Sequence, residues 1–447
     1  MSGSGAEYRR RRPEESALHL AVREGWPQVA AAGAERGGLP KRVHEEVRRY
    51  LQCGVLRHGF VHVKCDECAE STLVAFSCKG RGWCPSCGAR RAHETALHLL
   101  EVLPAVAYRQ WTLSLPAAVR WVVVKTPKLL RRVERCLVRA ILRWQRRQAR
   151  KLGVEGRAVG GGVCFVQLFG SALQLTPHLH LLVPEGLWSN GAFVPLPPPA
   201  QDDVEQVLAR TVRQLMPAFE SMEVPWPEDD FEVLQAQGAQ LKLSLPGDEE
   251  PGPSRKHRVA VALGLSLHAD TWVHGNDRQG LGRLIRYGAR GPVASSRLTR
   301  REDGRYAYET KRGVTLVMTA AQLVRRLLWL IPPRGLHLTN FHGVFASHAA
   351  ARRTTLLAGA AEPTCTLPTP SQASPRRKRL DWATLLQRTF GCDVWTCACG
   401  GRRRVVALVT STRTAELVLR NLGLLKPPPP LPPAQAPPQL ELVAEPH

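Results

Sequence analysis

Apolar residues recur along this chain with two periods, one near 3.6 and one near 2, and these sort it into helices and strands. Leu129, Val133, Leu137, Ile141 and Trp144 line one stripe over residues 128–151, which predicts a long helix with charged outer faces. Similar patterns predict helices at 43–51, 92–103, 202–219 and 320–330, the last closed by Pro332 and Pro333. Leu281, Leu284 and Ile285 follow Asp277 at helical spacing; the acid suits the positive end of a helix, and Gly288, Gly291 and Pro292 stop it. Short apolar runs at 110–115, 163–169, 179–183 and 259–273 predict strands, and 305–318 predicts a strand pair. Up to about residue 38 the pattern is weak and reads as a mobile basic lead with one short helix at 17–22.

Proline, glycine and cysteine divide the chain further. A mobile segment at 1–38 precedes a cysteine-rich domain at 39–103 and a larger domain at 104–345, with an insertion at about 195–257. A linker at 346–379, a small Cys/Gly-containing unit at 380–426 and a proline-rich tail at 427–447 complete the division. At 447 residues the chain is long enough for two or three domains with a real core. Lys and Arg total 62 against 38 Asp and Glu, a formal net charge of +24, which predicts a polyanionic partner, most simply nucleic acid. On the long helix, Arg131, Arg132, Arg135, Arg139, Arg143, Arg146 and Arg147 can lie along DNA or simply face water. No apolar run approaches the roughly 20 residues that cross a bilayer. A cytoplasmic location is expected, with no membrane partner and no small-molecule substrate. There the 12 cysteines serve as metal ligands or buried thiols.

Cys65-x-x-Cys68 and Cys84-x-x-Cys87, 15 residues apart, have the spacing of a four-cysteine zinc site, with Cys78 as an alternative ligand and Cys53 as an extra cysteine. Arg90 and Arg91 beside it are candidate DNA contacts. Near the far end Cys392, Cys397 and Cys399 precede Gly400 and Gly401, leaving a second zinc open. In the run Thr176–Pro184, His178 and His180 sit two apart on a strand, so both rings share one face and can hold a divalent metal. The alternative is two satisfied histidines at a sheet edge. Tyr287 falls near the end of the 277–292 helix, with Arg283 and Arg290 on its own face and Arg286 adjoining. Such guanidiniums suit the gripping of phosphates around an attacking phenol. The alternative there is a tyrosine packed on the domain surface.

A His-hydrophobe-His strand followed by a tyrosine helix resembles the HUH single-strand endonucleases. Phe76–Arg91, Arg109–Pro116, Ser266–Asp270 and Phe341–Phe345 resemble, in order, segments of the rolling-circle transposases of the insertion sequence ninety-one family. This match runs from about residue 40 to about residue 425. The resemblance implies an α+β fold: an HUH-type antiparallel sheet flanked by helices, preceded by a small four-cysteine zinc domain. It implies a transposase that nicks and rejoins single-stranded DNA at the element's ends and target through a 5′-phosphotyrosine. Tyr287 would be the nucleophile, with structural Zn²⁺ and a catalytic Mg²⁺ or Mn²⁺ on His178 and His180. His268 is the candidate third ligand, with Gln167 and Gln174 as weaker options. Position 283 is arginine where some relatives carry a second tyrosine, and Tyr306 and Tyr308 fall in a strand, so a one-tyrosine enzyme is expected. A plasmid or phage replication initiator or relaxase, or a non-catalytic zinc-dependent DNA-binding protein, are the competing expectations.

Overall fold

The computed structural model describes residues 6–8, 10–221, 258–311, 313–349 and 382–425. Most of the expected insertion and linker, and the proline-rich tail, lie outside the described residues. The architecture is α+β. Its centre is a six-stranded sheet in the order Val259–Ala262, Leu265–Val273, Tyr108–Ser114, Leu175–Pro184, Gly161–Phe169, Thr339–Gly343. Every neighbouring pair is antiparallel.

Strand alternation gives this sheet two different faces. At the rear, Trp111, Leu113, Cys164, Val166, Leu179 and Leu181 are buried under the long helix Pro127–Lys151 and the helix Gln201–Glu220. At the front, Tyr108, Val163, Phe165 and Leu182 are covered by the helices Pro85–Val102 and Arg278–Ala289 through Ala96, Leu99, Leu103, Leu281 and Ile285. Each such aliphatic side chain contributes about 1.5–3 kcal/mol on burial. The rear also holds a polar tie: buried Glu134 of the long helix accepts from Asn340 at 3.0 Å and pairs with His342 at 2.7 Å on the edge strand.

The N-terminus departs from the expected mobile lead. Residues Ala17–Ala34 form a helix, capped by the Ser16 hydroxyl, whose Leu18, Ala21 and Val22 pack against Leu323, Val324 and Leu327. The approach is close, because a Cβ on Gly25 would lie 2.4 Å from the Ala320 carbonyl carbon. Weak periodicity concealed this helix, since alanine and glycine blur the apolar stripe.

The small C-terminal unit joins the cysteine-rich domain. Phe60–Cys65 and Ser71–Ala75 form a hairpin whose open edge is taken by Arg403–Val409, making one antiparallel three-stranded sheet. An uncovered strand edge invites unwanted pairing, and here the strand Arg403–Val409 covers it. Phe60 and Leu73 pack with Val409, Ala415 and Leu419, while Val61, Val63 and Val74 meet Ala383 and Val394. These clusters hold six and five buried residues, too few to form a core from either end alone.

Candidate active site and metal centres

The hairpin decides how the cysteines group. Cys65 and Cys68 lie at its turn, whereas Cys53 and Cys78 flank its open end beyond Phe60 and Ala75. Phe60 and Lys64 are four residues apart along the strand, or roughly 13 Å. One ion cannot bridge that gap. The expected set of Cys65, Cys68, Cys84 and Cys87 is therefore corrected to two sets. Cys53, Cys78, Cys84 and Cys87 converge in one, and Cys65, Cys68, Cys397 and Cys399 in the other.

Both sets fit zinc. The Sγ atoms of Cys53 stand 3.8 Å from Cys87 and 3.7 Å from Cys84, and those of Cys78 and Cys87 are 3.4 Å apart. In the second set Cys65 meets Cys399, and Cys68 meets Cys397, each at 3.6 Å. A tetrahedron of thiolates at about 2.3 Å from zinc has edges of about 3.8 Å. Such separations are far too long for disulfides, where sulfur atoms lie about 2 Å apart. The first centre is mostly buried and the second half-exposed. Backbone N–H donation from Cys68 brings the Cys65 thiol down to about 7, toward the thiolate that a metal needs. Buried Arg403 steadies the second centre by donating to the Thr396 carbonyl at 3.0 Å and to Glu70 at 3.3 Å.

His178 and His180 lie on the front face with ring centroids 4.8 Å apart. The His178 Nδ1 donates to the Thr176 carbonyl at 2.8 Å, which leaves its Nε2 with a lone pair. His180 is buried; its Nδ1 meets Thr112 Oγ1 at 3.2 Å and the Gln110 side-chain amide at 3.1 Å, while its Nε2 has no partner. With Nδ1 protonated toward Thr112, Nε2 is free to ligate, and Gln110 presents its amide oxygen in the second of its two orientations. Desolvation lowers both imidazole pKa values, that of His180 to about 3, so both rings are neutral as ligands must be. A buried orphan nitrogen beside a second neutral imidazole fits a divalent cation.

Tyr287 faces this pair from the helix Arg278–Ala289, which Asp277 caps by accepting from the Gly280 N–H at 2.7 Å. Its ring centroid lies 5.6 Å from that of His180, and the residue is 38% exposed, which leaves the phenol open to a substrate. Gln167, opposite His178 in the sheet, donates to the carbonyls of Tyr287 at 2.6 Å and Gly288 at 2.9 Å. Gly288 sits on Phe165, where a Cβ would come within 2.7 Å of the ring.

Cations surround the phenol. Arg290 lies 4.8 Å above the ring, and Lys311 Nζ is 4.5 Å from its centroid and 3.4 Å from its hydroxyl. Arg283 is exposed and pairs loosely with Asp277 at 3.7 Å, and Arg286 is exposed. Arg90 is half-buried, while Arg91 is committed to the carbonyls of Lys79 and Gly80 beside the first cysteine set. Tyr306 and Tyr308 are buried, and Tyr306 donates to Glu24 at 2.7 Å.

His268 is not brought to the pair. It stands in register with Thr112, and Thr112 with His180, so it shares their face two strand spacings away, about 9.5 Å. Among the described residues, the two cysteine sets are the groups of three or more His, Cys, Asp or Glu that could hold an ion. Gln174 Oε1 accepts from the Ala172 N–H, whereas Gln167 Oε1 is buried without a partner.

Gln110, Thr112 and Lys311 were not anticipated. For the first two a signal exists: Gln110, Thr112 and Ser114 alternate with Trp111, Leu113 and Leu115, marking one polar face on a buried strand. Lys311 lies in a turn and carries no such signal.

Residues 21–115 match the family model described as "Transposase zinc-binding domain", and residues 161–353 match the one described as "Putative transposase". No curated protein and no solved structure matches the chain. Cys397 and Cys399 lie outside both matched segments.

Proposed function

Since this chain belongs to the transposases of the insertion sequence ninety-one type, with an N-terminal zinc-binding domain, we propose that it cuts and rejoins single-stranded DNA through Tyr287. The observation that carries this reading is the Tyr287 ring stacked edge-on, 5.6 Å from His180, whose outward nitrogen is buried and unpartnered. His178 and His180 would hold Mg²⁺ or Mn²⁺, with the buried, unpartnered Gln167 Oε1, in register with His178, as the candidate oxygen in place of His268. When bound, that cation would polarise the scissile phosphate and offset charge building on it.

The chain's own groups do the rest. The Tyr287 oxygen attacks phosphorus and gives its proton to solvent; the bond from phosphorus to the 3′ oxygen breaks, and that oxygen leaves with the electron pair and is protonated. A 5′-phosphotyrosine and a free 3′-hydroxyl result. Attack by a 3′-hydroxyl on the phosphotyrosine reverses the step, so strands are rejoined without ATP. Lys311 and Arg290 place positive charge beside the attacking oxygen, and Thr112 and Gln110 fix the His180 tautomer. A rolling-circle route is part of the same proposal, because a retained phosphotyrosine lets one strand be cut, displaced and rejoined.

Incubation with Mn²⁺ and labelled single-stranded oligonucleotides of the element's ends should yield an SDS-resistant adduct that Tyr287→Phe abolishes. A wild-type protein that binds the oligonucleotide yet forms no adduct would end the catalytic reading. An adduct of equal yield in Tyr287→Phe would remove only the assignment of the nucleophile.

A further inference from the structure

The helices Pro127–Lys151 and Gln201–Glu220 enclose a groove of about 750 Å³ on the rear of the sheet. Arg139, Arg143, Arg146 and Arg150 approach it from the first helix, and Arg210 and Arg213 from the second. No carboxylate lines it among the described residues. The ion pair at its rim joins Arg147 to Asp203 at 3.2 Å. Arg139 and Arg143, and Arg146 and Arg150, are like charges one turn apart, which weakens a helix unless an anion relieves them. Arg210 is half-buried with an unpartnered Nε. The histidines and Tyr287 occupy the other face of the sheet, so this groove lies apart from the phosphate presented to Tyr287.

We infer that this groove holds the phosphate backbone of a second DNA segment, in duplex form, while a single strand occupies the front. This rests on the reading of the chain as a DNA strand transferase. The choice of duplex follows from the lining. Single strands are gripped by exposed aromatic platforms, whereas the one aromatic side chain lining this groove, Trp144, is buried. Arg139 to Arg150 spans about 16 Å of helix, room for about five phosphates of one B-form strand. The lining is dominated by arginines suited to phosphates, so binding here depends on the backbone more than on base sequence.

The test replaces Arg139, Arg143, Arg146 and Arg213, all exposed, with alanine and follows the anisotropy of a labelled duplex of arbitrary sequence against salt. The log–log salt slope should fall by 3 to 4, about one for each phosphate left without its arginine, with at least a tenfold weaker affinity at low salt. Adduct formation on a short single-stranded oligonucleotide should stay unchanged. A control lacking Arg36, Lys41, Arg413 and Arg420, four exposed cations elsewhere, should keep the wild-type slope. An unchanged slope in the groove variant, or an equal fall in the control, would overturn the inference. So would loss of the single-strand adduct in the groove variant, because the groove would then serve the cut strand. Duplex binding by Tyr287→Phe should match wild type, so failure of the cleavage reading and failure of the groove are told apart.

Discussion

His180 shows how far one side chain's surroundings decide its chemistry. Burial holds its pKa at about 3, against 6.5 for a free imidazole, with His178, Arg290 and Lys311 adding to the effect. Below pH 6.5 the unfolded chain takes up a proton that the folded ring refuses. Stability from this group is thus complete above 6.5 and is lost as pH falls toward 3, by about 1.4 kcal/mol per unit. Urea unfolding of wild type and His180→Gln at pH 6 and pH 5 should show a wild-type loss steeper by about that amount. Equal slopes would show that the ring is not held neutral. The difference between the two proteins cancels acid effects on the cysteine centres, which both share.

Among the elements, the decisive contact is the seating of the tyrosine helix between the sheet and the helix Pro85–Val102. Leu281 and Ile285 lock it from within, and the zinc-domain helix closes over it through Ala96 and Leu99. Gly88 of that helix comes close to Gly291, just past the tyrosine helix, a Cβ on Gly88 reaching the Gly291 Cα at 3.4 Å, ordinary contact distance. Gly288→Ala should lift the helix off Phe165 and displace Tyr287. A misplacement on the order of 1 Å costs about 100-fold in rate. Adduct yield should drop accordingly while zinc content, measured by elemental analysis, holds at the wild-type level. A wild-type adduct rate would show that the seating is looser than the packing implies.

Much of this element was legible beforehand. Asp277, the apolar Leu281, Leu284 and Ile285 at i, i+3, i+4 and the closing glycines mark the helix, and the alternation around His178 and His180 marks their shared face. The partner of each cysteine pair was not legible. Spacing alone treats Cys65-x-x-Cys68 and Cys84-x-x-Cys87 as neighbours, and only the rigid hairpin between them keeps them apart. The third ligand failed for a related reason: His268 has the right alternation, but strand order puts another strand between it and the pair.

At the scale of the whole molecule, the late strand Arg403–Val409 completes the sheet begun by Phe60–Cys65 and Ser71–Ala75. Two zinc ions per chain are expected. Cys397→Ser with Cys399→Ser should leave one, and limited proteolysis should then release the segment around Arg403–Val409 that wild type protects. Two ions in that variant would show that the second centre does not need these thiols. Loss of both would show that the centres are not independent.

That arrangement also governs when the protein can mature. Cys68 emerges 329 residues before its partner Cys397. At the usual 5–20 residues per second of synthesis, the early half-site waits roughly 15–65 s for the late one. Until then its thiols are open to stray metals and oxidants, and a prematurely terminated product never closes the site. Completion of the second centre therefore requires that synthesis has passed Cys399.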